Sequence, residues 1–592
     1  MAESSLSGME SSLMRAHGRT AGAAGLALLG FLALGCRPAL PPADLVLRNG
    51  KIVTLDKDRP QAQALAARGD RVVAVGTDAE VAPLIGPKTR VLDLQGRLAV
   101  PGFIEGHGHL MWLGDAKAQI DLRGTTSWED VVARVAEAAR FAPPGEWIRG
   151  MAWHQAKWTQ APPGAVKGFP VHDALSVVSP KNPVLLKHAS GHGAFANAKA
   201  MELMGVSSRS PDPSGGEIVK DARGRPTGMF LENAQRLVDP VPRAENAGLL
   251  DLITRVPGGE PETRRRARLA ADEALSKGIT TFHDAGASFE TIDVLKKMVE
   301  ADEMPLRLWV MIAEPNEALA GRLAQYKILG AGNHHLTVRA IKRVMDGALG
   351  SRGAWLLEPY TDLPTSTGLN TETVSSVEET ARLAVAQGFQ LCVHAIGDRA
   401  NREVLDLFER VFAADPGKAA RRWRIEHAQH LNPQDIPRFA RLGVIASMQG
   451  VHPTSDAPFV VDRLGAKRAR EGAYAWRSLM NAGAMVTNGT DTPVEDIDPI
   501  RTFYGSVTRQ PREGPAFFPE QRMNREEALR SYTLSNAYAA FEEDLKGSLV
   551  PGKLADVTVL SRDIMTVPLQ EIPGTRVDHT IVGGKVAFSA SR

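Results

Sequence analysis

The 592-residue chain contains only two cysteines, Cys36 and Cys392. That scarcity excludes a disulfide framework and a thiolate zinc site, so any metal must be held by imidazole, carboxylate or a modified lysine. An excess of one charge sign is also missing. With 70 basic residues against 68 acidic ones, no strong field draws the chain to nucleic acid or to an anionic membrane surface. The apolar stretch Gly22–Gly35 (GAAGLALLGFLALG) is shorter than the roughly 20 residues a spanning helix needs. Several catalytic signatures are absent: G-x-S-x-G, H-E-x-x-H, the P-loop, and G-x-G-x-x-G after a strand. What is present is an ordinary packed-protein composition, 43% hydrophobic and 23% charged, too apolar for disorder and long enough for a large core.

The N-terminal segment reads as an export signal rather than as part of the fold. The apolar run follows Arg15 and Arg19 and ends at Cys36 before Arg-Pro-Ala-Leu-Pro-Pro, and Leu32-Ala33-Leu34-Gly35-Cys36 resembles the lipobox of bacterial lipoproteins. Ala33 stands where that pattern usually has Leu. The reading assigns residues 1–36 to a signal peptide and makes Cys36 the lipid-bearing end of an exported protein, anchored to a bacterial membrane and facing the periplasm or exterior. A plain secretory signal with an incidental cysteine is the alternative. Glu3 and Glu10 are foreign to a basic leader and point to Met14 as the start.

Both ends of the remaining chain have strand grammar. Leu45–Val53 carries two short apolar runs around Asn49-Gly50, a hairpin signal, and Arg71–Val75 follows Gly69-Asp70. Leu554–Leu560 and Thr580–Val586 repeat the pattern. A small β-sandwich domain built jointly from residues 43–97 and 541–592 is therefore expected. Between them, eight β-branched runs alternate with Ala/Leu/Glu/Arg-rich stretches: Leu98–Ile104, Ile279–His283, Leu306–Ile312, Val338–Val344, Gln390–His394, Arg424–His427, Val444–Met448 and Met485–Asn488. An eightfold βα array predicts an α/β fold, a (β/α)8 TIM barrel over 98–540, with catalytic groups at the carboxyl ends of its strands. Residues 111–270 are too long for one connection and form an insertion after strand 1.

The chemistry-bearing residues fall at those strand ends. His107 and His109 lie two apart, so both rings can point the same way from extended backbone. His394, His427 and Asp491 follow later runs, separated by 33 and 64 residues, about one and two βα repeats of a barrel. Lys342 sits in an apolar, β-branched context where a free ammonium would be costly to bury; pairing with Asp346 or escape to solvent are its ordinary fates. His430 is expected on a solvated loop or helix, and His334 and His335 in a turn. Trp153 and Trp158 serve either packing or a pocket wall, and His188 and His192 either structure or the pocket. Cys392 reads as a small buried hydrophobe.

PGFIEGHGH (101–109), GMAWHQAKW (150–158), SGHGAFANAKAM (190–201), IKRVMDGALGSRGA (341–354), HAIGDRA (394–400), RIEHAQ (424–429) and GTDTPVEDIDP (489–499) together resemble the metal-dependent amidohydrolase superfamily, specifically its YtcJ-like, amidohydrolase-3 branch. Glu105 stands where Asp is usual and Thr490 where Ser is usual. The resemblance implies His107, His109, His394, His427 and Asp491 as metal ligands, with carbamylated Lys342 bridging two divalent ions, expected to be zinc. It implies Asp491, Lys342 and His192 as catalytic groups, with Asp491 moving the proton. The implied reaction is attack of a metal-activated hydroxide on a non-peptide carbon–nitrogen bond of a small amide, formamide or cyclic amide. Ester, lactone or phosphoester hydrolysis at the same site is the second reading, and a non-catalytic ligand-binding surface lipoprotein the third. The partner is a small molecule, not nucleic acid; membrane contact is through the Cys36 anchor only, and a homodimer is the candidate assembly.

Overall fold

Eight parallel strands form the centre: β1 (Phe103–Gly108), β2 (Ile279–Ala287), β3 (Arg307–Ile312), β4 (Leu336–Val344), β5 (Gln390–Ala395), β6 (Arg424–His427), β7 (Ile445–Gln449) and β8 (Val486–Gly489). Each pairs with the next in register, from Thr281 opposite Ile104 to Ala446 opposite Val486. The computed structural model describes residues 41–591 except 156–157, 190, 192, 214–215, 240–258 and 417–420. The expected signal segment, Cys36 and His192 therefore lie outside the described residues.

The seam between β8 and β1 is nearly closed by specific contacts. Asp491 N donates to His107 O and His109 N to Thr492 O, each at 2.8 Å, and Gly108 bridges Thr492. The buried Asn536 side chain donates to Ile104 O (2.7 Å) and Asn488 O (2.8 Å), stapling the two strands from below. Gly489 allows the approach: a β-carbon there would lie 2.5 Å from Glu105 Oε1 and 2.6 Å from His107 N. The result is an α/β fold built on a TIM-like barrel, whose outer core of Leu, Ile, Val and Phe lies between strands and helices.

The terminal segments form two further sheets. Residues 71–76, 64–68, 45–48 and 90–93 make one of four strands; 585–589, 577–582, 557–560, 98–101, 51–53 and 61–62 make one of six. Leu45, Leu47, Ile52, Leu65, Val557, Val559 and Ile581 fill the space between them. Two sequence expectations change here. The run Leu98–Ile104 is two strands, because Pro101-Gly102 breaks it: Leu98–Pro101 pairs with Val557–Leu560, and Phe103 begins the barrel. The Asn49-Gly50 turn is a corner between sheets, not a hairpin. Only Asn49 takes a left-handed φ (53°), whereas a type I′ turn needs two, and Gly50 N bonds to Gln63 O instead. Genuine hairpins turn at Gly69-Asp70 and at Gly583-Gly584. Buried Arg307 on β3 grips Asp556 through two nitrogens (2.8 and 3.1 Å), tying the C-terminal segment to the barrel floor.

Within the insertion, strands 216–220, 226–232, 193–196, 184–188, 148–153 and 120–121 form a sheet of their own. Its core contains Trp128, Trp153, Trp158 and Phe195.

Candidate active site

Alternation along the barrel strands explains which side chains meet inside. In β4, Lys342 faces inward while Arg343 points out to Asn316 and Thr380 under the helices. Lys342 is in register with Cys392 of β5, and His394 lies two residues on, on the same face. In β6, Arg424 and Glu426 share the inner face, where Arg424 meets Gly106 O, Ser447 Oγ and Glu426. His427 would point outward if the strand continued. Instead it turns at φ 74°, and its ring centroid comes to 4.7 Å from that of His107 and 4.5 Å from that of His394. Asp491, just past β8, is likewise left-handed at φ 61°.

The carboxylate of Asp491 sits between the imidazoles of His107 on β1 and His109 just past its end: its Oδ1 is 3.4 Å from His107 Nε2 and 3.2 Å from His109 Nε2. Ligand atoms of these three buried residues all lie within 4.8 Å of one another. The outer nitrogens of two of the rings are committed elsewhere. His107 Nδ1 is 2.5 Å from Glu426 Oε2, and His427 Nδ1 is 2.8 Å from Gln449 Oε1. Buried His107 Nε2, His394 Nε2 and Asp491 Oδ1 have no hydrogen bond among the described residues. Native interiors rarely leave such atoms orphaned. An imidazole held at Nδ1 with Nε2 open beside a carboxylate, as His107 is, clustered with further buried imidazoles, is the donor set of a divalent metal site, so the residues present fit such an ion.

Electrostatics agree with neutral imidazoles and ionised carboxylates. Burial, reinforced by neighbouring cationic groups, takes His107 and His394 well below the usual histidine range, and burial takes His427 to about 4. Burial alone would raise the Asp491 carboxyl; the surrounding His109, His427 and His107 outweigh it and hold it well below the ordinary range. Burial lowers the Lys342 ammonium, opposed by the charges of Glu426 and Asp491.

Asp346 is not an ion-pair partner for Lys342. Its carboxylate accepts from the backbone amides of Ile396, Gly397 and Trp355 at 2.8–2.9 Å, pinning the loops after β4 and β5. Trp153 and Trp158 stack on each other with centroids 5.8 Å apart inside the insertion core, so they are packing residues and not a pocket wall. His188 lies beside them, 3.0 Å from Gln155. His430, expected in solvent, is buried edge-on against Tyr474 at 5.3 Å, and burial takes it down to about 3. His334 contacts Arg71 and His335 contacts Met304 O, away from this cluster. Cys392 is buried, as expected, and burial pushes its thiol up.

Four neighbours of the site were not singled out from sequence: Glu426, Gln449, Trp112, whose ring lies 4.9 Å from that of His109, and His452, which stacks over His427 at 6.3 Å. Glu105 stood out only as a departure from a motif. It ties β1 to the β8 loop, accepting from Thr490 N (2.6 Å) and Tyr532 OH (2.8 Å), and burial raises it to about 7. Glu426 carried a usable signal, since it alternates with Arg424 on an inward face.

Comparison with known proteins places these residues in context. The amidohydrolase family model (Amidohydro_3) matches residues 90–588. The chain is 34% identical over 571 residues to Protein LONG AFTER FAR-RED 3 of Arabidopsis thaliana, covering 93% of this chain and 92% of that protein. It is 28% identical over 555 residues to the N-substituted formamide deformylase of Arthrobacter pascens, covering 92% and 98%. Among solved structures, an uncharacterized metal-dependent hydrolase from Pyrococcus furiosus matches with a TM-score of 0.69 at 26% identity, over 88% of this chain and all of that one.

Proposed function

The chain belongs to the amidohydrolase family, and we propose that it hydrolyses the carbon–nitrogen bond of a small formamide or other non-peptide amide, open or cyclic. The family and the deformylase relative make it a hydrolase of carbon–nitrogen bonds outside peptides; the substrate class is our reading. The observation that carries it is the convergence of His107, His109 and Asp491 within 4.8 Å, with His107 Nε2 and Asp491 Oδ1, neither hydrogen-bonded among the described residues, 3.4 Å apart.

His107, His109, His394, His427 and Asp491 would hold one or two divalent ions, with zinc as the expected metal. A bound ion lowers the pKa of water from 15.7 to about 7 and polarises a carbonyl. Asp491, ionised and beside His109, takes the proton from the attacking water and passes it to the departing nitrogen, which leaves as the amine. Lys342 is deeply buried and its ammonium is destabilised there, so its neutral amine can add carbon dioxide, forming an N–C bond and releasing one proton. The resulting carbamate supplies the oxygen donors that a second ion would need.

The test is to purify the protein with its metal and assay N-formyl amines, N-acyl amines, cyclic imides and lactones together. Release of amine from an N-formyl or N-acyl substrate is expected. Activity confined to lactones, or the absence of any stoichiometric divalent ion, overturns the reading. Growth with 13C-labelled carbon dioxide should give a carbamate resonance that Lys342→Met lacks. We also propose export and acylation at Cys36; mass spectrometry finding an unmodified N-terminus elsewhere refutes that part.

A further inference from the structure

Beneath the cluster lies an ion pair that the hydrolytic scheme does not use. Glu426 is fully buried, 0% exposed, as is Arg424. Arg424 Nε is 2.7 Å from Glu426 Oε1, and its Nη2 donates to Oε2 at 3.1 Å. The same guanidinium is clamped on three other strands: it donates to Gly106 O of β1 (2.7 Å) and Ser447 Oγ of β7 (2.9 Å), and lies 3.4 Å from His283 Nδ1 of β2. Its carbon sits 5.3 Å from the Trp309 ring centroid on β3. Arg424 therefore cannot swing, and neither can the carboxylate it holds. The Oε2 that Arg424 Nη2 reaches also meets His107 Nδ1 at 2.5 Å, and Ser447, Cys392 and the charge of Lys342 face the same carboxylate.

Such a pair is a poor way to stabilise a barrel floor. Removing two charges from water costs more than their attraction usually returns, and apolar side chains of equal volume often serve stability as well or better. Its geometry suits another task. A carboxylate cannot donate, so His107 must carry its proton on Nδ1 and present an Nε2 lone pair toward Asp491 and the ligand cluster.

We propose that the buried Arg424–Glu426 pair is a positioning device that fixes the tautomer and ring orientation of His107 for metal ligation. It rests on the metal reading given above. In this role Glu426 acts through His107 and touches no substrate.

The decisive variant is the double substitution Arg424→Met with Glu426→Gln, which removes both charges of the pair at nearly constant volume and leaves Asp491 as the counter-charge that buried Lys342 still has. Zinc affinity is read by competition with a chromophoric chelator, the visible spectrum after cobalt substitution is recorded, and the metal-free protein is melted. The expected result is a metal-free melting temperature close to the wild type, a zinc dissociation constant raised 10- to 100-fold, and a changed cobalt spectrum. Wild-type affinity and spectrum in the double variant would overturn the inference, reducing Glu426 to a counter-ion for Arg424. A wild-type protein that binds no divalent ion is a different failure, that of the metal reading itself. The wild-type zinc protein offers a check that needs no variant. A 2.5 Å imidazole–carboxylate contact should give a downfield, exchange-protected N–H proton resonance assigned to His107, and its absence would also overturn the inference.

Discussion

Replacing Asp491 by Asn separates proton transfer from fold and from ligand geometry. The residue sits at φ 61°, a conformation that Asn tolerates but that adds about 1–2 kcal/mol of strain for most side chains. Asn is therefore the informative change and Ala is not. The amide keeps an oxygen where Oδ1 lies 3.2 Å from His109 Nε2 and 3.4 Å from His107 Nε2, but it carries no charge and cannot accept the proton of an attacking water. A positioned general base contributes about 10²- to 10⁴-fold, which corresponds to roughly 3–5 kcal/mol of barrier. We expect kcat on the best N-formyl substrate to fall by that factor, while the melting temperature stays near the wild type and most of the metal remains by elemental analysis. A kcat within tenfold of the wild type at full metal loading would refute the role of Asp491 as the proton carrier.

Glu105→Gln should gain on the wild type as pH rises. The folded-state pKa is raised from 4.5 to about 7, so native protein holds a proton that the unfolded chain has released, and wild-type stability declines across that interval. The relative gain should reach about 3 kcal/mol by pH 8, read by denaturation at pH 5 and pH 8; a pH-independent difference would refute it. Asn536→Leu leaves Ile104 O and Asn488 O without their donor at the seam, which should cost about 2–4 kcal/mol and lower the thermal transition. An unchanged transition would show that the seam does not depend on this staple.

Strand positions were legible because a parallel barrel buries both faces of each strand, which writes runs such as Leu306–Ile312 and Gln390–His394 into the sequence. The ligand-type residues were legible because each ends such a run. Three features were not. The division at Pro101-Gly102 depends on pairing with Val557–Leu560 more than 450 residues away. The burial of His430 depends on Tyr474 covering it from the segment after β7, and nothing local distinguishes it from a solvated histidine. Trp153 and Trp158 could be assigned to packing only once the insertion had a core of its own. In each case, long-range contacts decided what local pattern left open.

The backbone at the site shows why a barrel needs more than alternation to assemble this cluster. Strict alternation gives each strand end one inward side chain per two residues. β6 must supply two in succession, Glu426 toward His107 and His427 toward His394, and these cannot both project inward from regular strand. The chain meets the demand with consecutive left-handed residues, His427 at φ 74° and Ala428 at φ 42°, and Asp491 at φ 61° is a third such position beside the site. Strain of order 1–3 kcal/mol per residue survives only where the surroundings over-determine it. Here they do: Gln449 holds His427 Nδ1, and Asp491 N is locked to His107 O. Backbone strain concentrated at His427, Ala428 and Asp491 is thus the structural counterpart of bringing five ligand-type side chains to the mouth of one barrel.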